Sequence, residues 1–150
     1  MANLFPEEEA AVEAAESEEN EVKFGSGVRF DYEAGEFVLT PTGRIAEAEG
    51  ADAWLEWCRK ALQTERYRYL VYSRNYGQEF ETLIGLGLSR SAVESEIMRI
   101  TTETLMTDPR TESVGNFAFD WQGDQCFFTC EARSVRDDSI VLQGSLVNAV

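Results

Sequence analysis

Glu79, Glu81, Glu94 and Glu96 come nearest to a catalytic set in this chain of 150 residues. Glycoside hydrolysis needs two carboxyl groups held about 5 to 10 Å apart, one of them with a raised pKa. All four glutamates fall in stretches that read as helix, where exposed acids are ordinary. Nucleophilic chemistry is less well provided for. The chain contains no histidine, so a serine or cysteine nucleophile lacks its usual base and a transition metal its usual ligand. Cys58, Cys126 and Cys130 make an odd count with no disulfide framework. Cys126 and Cys130 lie four apart in a strand-like stretch and so share a face, which suits small buried apolar residues better than a metal site. A reducing compartment is the simplest inference. No catalytic, cofactor or metal site is expected.

The residues that promise most are organising ones. Asp108-Pro109-Arg110 follows an amphipathic helical stretch and precedes three alternating ones. Proline lacks a backbone N–H and its ring clashes with the preceding turn, so it ends the helix at a set place. Arg110 is thereby delivered to a helix–sheet junction, where a five-donor guanidinium can bind carboxylates and carbonyls from several segments. It is read either as the organiser of a joint with neighbouring subunits or as a corner within the chain.

Composition limits the partners. Hydrophobic residues at 43% and aromatics at 11% fit one globular domain. No run of about 18 apolar residues is present, and no basic-then-apolar leader opens the chain. A net charge of −15 argues against nucleic acid and anionic membrane as partners. Eleven of the thirteen cations are arginine, the exceptions being Lys23 and Lys60, a bias toward planar ion pairs.

The elements that must position these residues can be read in order. Residues 1–27 form an acidic tail, with eight glutamates up to Glu21 and too few apolar groups to repay ordering. It is expected to be flexible, or to act as an arm that orders on a basic partner. A single α+β domain is expected over 28–150. Val28–Tyr32 and Phe37–Leu39 read as a hairpin, and Pro41-Thr42-Gly43 as a further turn. Asp52 is expected to cap a helix to about Gln63, with Trp54, Trp57, Cys58, Ala61 and Leu62 as its apolar stripe. Tyr67–Tyr72 reads as a strand, Tyr76-Gly77 as a turn and Gln78–Ile84 as a short helix. Ser91-Ala92-Val93-Glu94 fits a capping box opening the longest helix. Phe117–Trp121, Cys126–Glu131 and Ile140–Leu146 then form a three-stranded antiparallel meander. Residues 139–147 carry no charge and one amide, which leaves an edge open to strand addition. Proline at 140 or 142 is expected to block such pairing.

The run Thr64-Glu65-Arg66, then Tyr76-Gly77, then a capped helix ending in Asp108-Pro109-Arg110, then a strand meander, resembles the baseplate wedge and sheath-initiator proteins of contractile phage tails. It is similar in particular to the XkdS-like group of Gram-positive prophages and tail-like particles. Ala53-Trp54-Leu55-Glu56-Trp57-Cys58 matches its tryptophan-bearing helix. Asp108-Pro109-Arg110 looks like the Glu-Pro-Arg motif of related contractile machines, one methylene shorter. Leu62-Gln63-Thr64 stands where the wider family has Pro-Gly.

The resemblance implies structural work without a cofactor. The chain would sit in the baseplate of a particle assembled in host bacterial cytoplasm. It would meet sheath subunits, other wedge and hub proteins and possibly the tail tube, and template the first sheath ring by sharing strands. Thr64, Glu65, Arg66, Tyr76, Gly77, Asp108, Pro109, Arg110, Ile140 and Leu142 are the interface or structural residues on this reading. The alternatives are a lysozyme-like baseplate glycosidase and an acidic adaptor unrelated to phage.

Overall fold

Alternation of apolar and polar residues after Pro109 builds the sheet on which everything else rests. The computed structural model describes residues 21–147. It contains β5 (Thr111–Gln122), β6 (Gln125–Ser134) and β7 (Ser139–Val147), ordered β5-β6-β7 and antiparallel throughout. Along β6 the residues Cys126, Phe128, Cys130, Ala132 and Ser134 are buried, so a single face carries the core. Gly123-Asp124 joins β5 to β6 as a two-residue loop, with Gly123 at φ 62°.

Two helices cover that face. α1 (Ala51–Gln63) places Trp54, Cys58 and Leu62 against Cys130, Ala132 and Leu142. α2 (Arg90–Met106) places Val93, Ile97 and Ile100 against Cys126, Phe128 and Leu146, together with Phe80 and Leu83 of a single 3-10 turn, Phe80–Leu83. Full burial of one such side chain contributes about 1.5–3 kcal/mol, so these two clusters dominate the stability of the helix–sheet packing. The result is the expected single α+β domain with two main helices, an N-terminal hairpin and a C-terminal meander.

Among the described residues, four short strands precede α1. β1 (Ser26–Val28) pairs with β4 (Glu47–Glu49), and β2 (Phe30–Asp31) pairs with β3 (Glu36–Phe37). Phe24 is already buried beside α1, so the packed region starts before the boundary drawn at 27/28 from composition. Residues 1–20, most of the acidic tail, lie outside the described residues.

Several local expectations are corrected. Tyr67–Tyr72 is a series of turns, with Tyr67 at φ 67° and Leu70 fully exposed. β-propensity cannot make a strand where no neighbouring strand offers its main chain. Gln78–Ile84 shortens to the 3-10 turn. Asp52 does not cap α1; Gly50, at φ 57° and ψ −127°, turns the chain into the helix without a side-chain cap. Asp52 lies in the first turn and pairs with Arg29 at 2.7 Å, where a carboxylate complements the helix dipole. α2 is capped by Ser89, which accepts from the Ala92 N–H at 3.3 Å, and not by Ser91. Glu94 does not reach back as a capping box requires, because its carboxylate accepts from the Trp121 indole at 2.9 Å.

Candidate functional site

The arginine corner is a clamp closed on its own carboxylate. α2 ends at Met106, and the Asp108 N–H still bonds the Leu105 carbonyl at 3.3 Å. Pro109 then turns the chain so that Arg110 folds back on Asp108. Arg110 Nε and its main-chain N–H reach Asp108 Oδ1 at 2.9 and 2.8 Å, and Nη2 reaches Oδ2 at 2.6 Å. The remaining arm, Nη1, donates to the Phe24 carbonyl at 2.8 Å. The Arg110 carbonyl accepts from the Val135 N–H at 2.9 Å. Three segments far apart in sequence therefore meet on one residue: the N-terminal entry, the start of β5 and the β6–β7 turn. With side chains 13% and 7% exposed, Arg110 and Asp108 form a partly desolvated pair whose donors are used within the chain.

Thr64-Glu65-Arg66 and Tyr76-Gly77 come together at a second corner. The Gln78 N–H bonds the Thr64 carbonyl at 2.9 Å and the Arg66 N–H bonds the Gln78 carbonyl at 2.8 Å, forming an isolated parallel bridge. Gly77 must be glycine there: its φ is 96°, and a Cβ would lie 2.6 Å from the Thr64 carbonyl oxygen. Its own carbonyl accepts from Arg66 Nε at 3.1 Å and from Thr104 Oγ1 at 3.2 Å, which ties the bridge to α2. Trp57 joins the two corners, with the Arg110 guanidinium 6.0 Å from its ring centroid and the Tyr76 ring 5.8 Å away.

The third feature is the free side of β7. Its register with β6 is unbroken from Gln125↔Val147 to Arg133↔Ser139. The Ser134 N–H bonds the Asp138 carbonyl at 2.8 Å, which sets the phase of the ladder. Ile140, Leu142, Gly144 and Leu146 then direct their main-chain groups to β6. Val141, Gln143 and Ser145 direct theirs outward, to a side with no strand partner among the described residues. Proline at 140 or 142 would thus break the chain's own ladder, and the outward donors are those of the odd-numbered residues. Leu142 is buried and Ile140 half-buried against the α1 cluster, so both serve the core. A cleft of about 620 Å³ runs beside this edge, lined by Val141, Leu142, Gln143, Phe30, Val38 and Arg59 among others.

The acids and thiols are otherwise engaged. Glu79 lies 3.9 Å from Arg66, Glu96 2.7 Å from Arg99, and Glu94 holds Trp121. Arg68 bonds Glu65 and holds its carboxyl below the usual range, while Glu65 beside Glu81 pushes that carboxyl up. Both lie at the surface, outside the described clefts. Burial raises all three thiols, Cys130 to about 11 and Cys58 further, with the Asp108 charge adding at Cys58. Such thiols are poor nucleophiles at neutral pH. Among the described residues no group of three or more potential metal ligands occurs.

Four contributors are not legible as such in the sequence. Trp57 has the spacing of a core stripe, yet it links the corners; Phe24 lies within the compositional tail, yet its carbonyl completes the arginine clamp. Val141 and Gln143, and not their neighbours Ile140 and Leu142, carry the outward main-chain groups. Only this pair had a signal, since strict alternation implies that the outward-facing residues carry the edge groups.

Comparison with known proteins agrees with this geometry. Residues 26–137 match the family model of the contractile injection system sheath initiator. The chain is 36% identical over 85 residues to the phage-like element PBSX protein XkdS of Bacillus subtilis (strain 168), a match spanning 55% of this chain and 60% of that protein. A chain of the six-fold symmetrised baseplate of the anti-feeding prophage shares the fold, with TM-score 0.52 and 12% identity over 84% of this chain and 87% of that one. With a family match reaching from β1 to the β6–β7 turn, the chain belongs to the contractile injection system sheath initiator family.

Proposed function

We propose that this chain is a non-enzymatic structural part of a contractile particle's baseplate, assembled in the bacterial cytoplasm, which starts the sheath by accepting a strand along β7. Sheath subunits are the partners at that edge. Other wedge and hub proteins, and the tail tube, meet the remaining surface. The observation that carries the reading is an uncharged strand with regular register, one side paired and the other beside a cleft. Main-chain donors and acceptors in that setting are a template for an incoming strand. The Asp108-Pro109-Arg110 clamp and the Thr64–Arg66/Tyr76-Gly77 bridge serve this indirectly. They fix the helices and the β6–β7 turn behind the sheet, so that the edge is presented already ordered and less entropy is lost on docking.

Val141→Pro tests the reading. It removes one outward N–H and leaves the β6 ladder intact, a position where edge proline is tolerated. The variant is expected to melt within a few degrees of wild type and to fail to recruit sheath in reconstituted particles viewed by electron microscopy. Full-length sheaths on particles carrying both Val141→Pro and Gln143→Pro would overturn strand addition at this edge.

A further inference from the structure

A second cleft, which shares Phe30 and Tyr32 with the first but contains no β7 residue, has no part in the strand-addition reading. It measures about 570 Å³ and its lining includes Val28, Phe30, Tyr32, Phe37, Trp57 and Tyr72. Val28, Tyr32 and Phe37 are exposed although large and apolar. Such a cluster of aromatic rings around a concavity is costly to leave in water and marks a docking site. Lys60 also lines it, with Nζ 5.0 Å above the Tyr72 ring and no carboxylate partner among the described residues.

We propose that this cleft receives the chain's own N-terminal segment, with Leu4-Phe5-Pro6 as the apolar anchor and Glu7-Glu8-Glu9 beside Lys60. Three observations choose this occupant. The first twenty residues hold one compact apolar cluster with an aromatic, Leu4-Phe5-Pro6, and the three glutamates follow it directly. The cation on the cleft wall is complementary to that order of apolar then acidic groups. The described chain begins at Glu21 and lines the cleft itself from Ser26 and Gly27. About twenty residues of tether, up to ~3.3 Å each when extended, reach any point of so small a domain. The tether keeps the segment at millimolar effective concentration, so a modest affinity suffices. Proline in the anchor lowers the entropy of ordering it.

The test uses the full chain carrying Ala2→Cys, labelled with a nitroxide; the three native thiols are buried and stay unlabelled. Paramagnetic broadening of amide resonances is expected to concentrate at Val28, Phe37, Lys60 and Tyr72, and to disperse when Phe5→Ala is added. Lys60→Glu is expected to weaken it severalfold. Broadening spread evenly over the surface, or concentrated along Val141 and Gln143, would overturn the proposal. So would broadening passed from a labelled chain to an isotopically marked unlabelled one, since the occupant would then belong to a neighbouring copy.

Discussion

The sheet has two edges, and they are built differently. β5 is interrupted: its register with β6 shifts between Gly115 and Ala118, where Asn116 takes φ 52°, and again between Thr111 and Ser113. It also carries Glu112 and Asp120. Bulges and charges are the usual means by which a sheet refuses further strands. β7 has neither. Its pairing is regular over its whole length and its side chains are uncharged. On the outer face Glu131 accepts from Asn116 at 2.8 Å and from the Ser139 hydroxyl, so one residue of the central strand anchors both the bulge and the start of the smooth strand. The contrast makes β7 the edge better suited to strand addition, and the proposed function rests on that difference.

The largest expected effect comes from removing what both edges share. Asp108→Ala strands Arg110 without its carboxylate in a nearly buried site, and the loss is about 3–5 kcal/mol, enough to unfold a marginal domain. Chemical denaturation measures it. Arg110→Ala should behave alike and release the Phe24 carbonyl and the β6–β7 turn together. If it left melting unchanged and abolished only particle assembly, the corner would be an interface between subunits and not a clamp within one.

A smaller change strikes β7 alone. The Phe128 ring lies directly over Gly144, its cross-strand partner, in the space a Cβ would take. Gly144→Ala forces that ring away and is expected to cost about 1–3 kcal/mol by overpacking. Hydrogen exchange should speed at β7 amides and at Phe128 while the β5 bulge region keeps its protection. Equal loosening of both edges would show that the strands do not differ in how they are held.

Alkali acts on the strand between the edges and on the corner that holds Tyr76. Burial pushes the Cys130 thiol from 9.0 to about 11 and the Tyr76 hydroxyl from 10.0 to about 12. Each group holds its proton more tightly folded than unfolded. Its contribution is fully present below the unfolded value and is lost as pH climbs through the folded one. Stability should therefore be level to about pH 9 and then fall by about 1.4 kcal/mol per pH unit for each group still protonated only in the folded state, with Cys58 and Cys126 adding to Cys130 from the start and Tyr76 from about pH 10. Cys130→Ala would make that decline shallower by one group's share and leave the part due to Cys58, and a decline unaltered by Cys130→Ala would remove this thiol as a source.

How much of this could be read in advance depended on whether a residue's partner lay nearby in sequence. The meander, both helices and the Pro109 stop are local patterns, and they were legible. The strand expected at Tyr67–Tyr72 failed because pairing is a property of two segments, and among the described residues the bridge nearby joins Glu65 to Gln78. Asp108 and Arg110 could be seen as a corner, but that the fourth donor would reach Phe24, in a segment assigned to the tail, could not. Family likeness pointed to Thr64–Arg66 and Tyr76-Gly77 together. The physical reason they meet, a glycine with no room for a Cβ against the Thr64 carbonyl, needed coordinates.

The smallest effect is the most discriminating. Val141 is 65% exposed, its side chain points to solvent, and its main-chain N–H and carbonyl face the open side of β7. Val141→Thr keeps the β-branched shape and the N–H, so stability should move by less than about 0.5 kcal/mol. If incoming strands are held by main-chain bonds, this variant recruits sheath as wild type does, while Val141→Pro at the same position does not. A threonine that blocked recruitment as fully as proline would mean that partners read the side chains of β7, and the smoothness of the edge would then reflect a side-chain footprint and not a template for pairing.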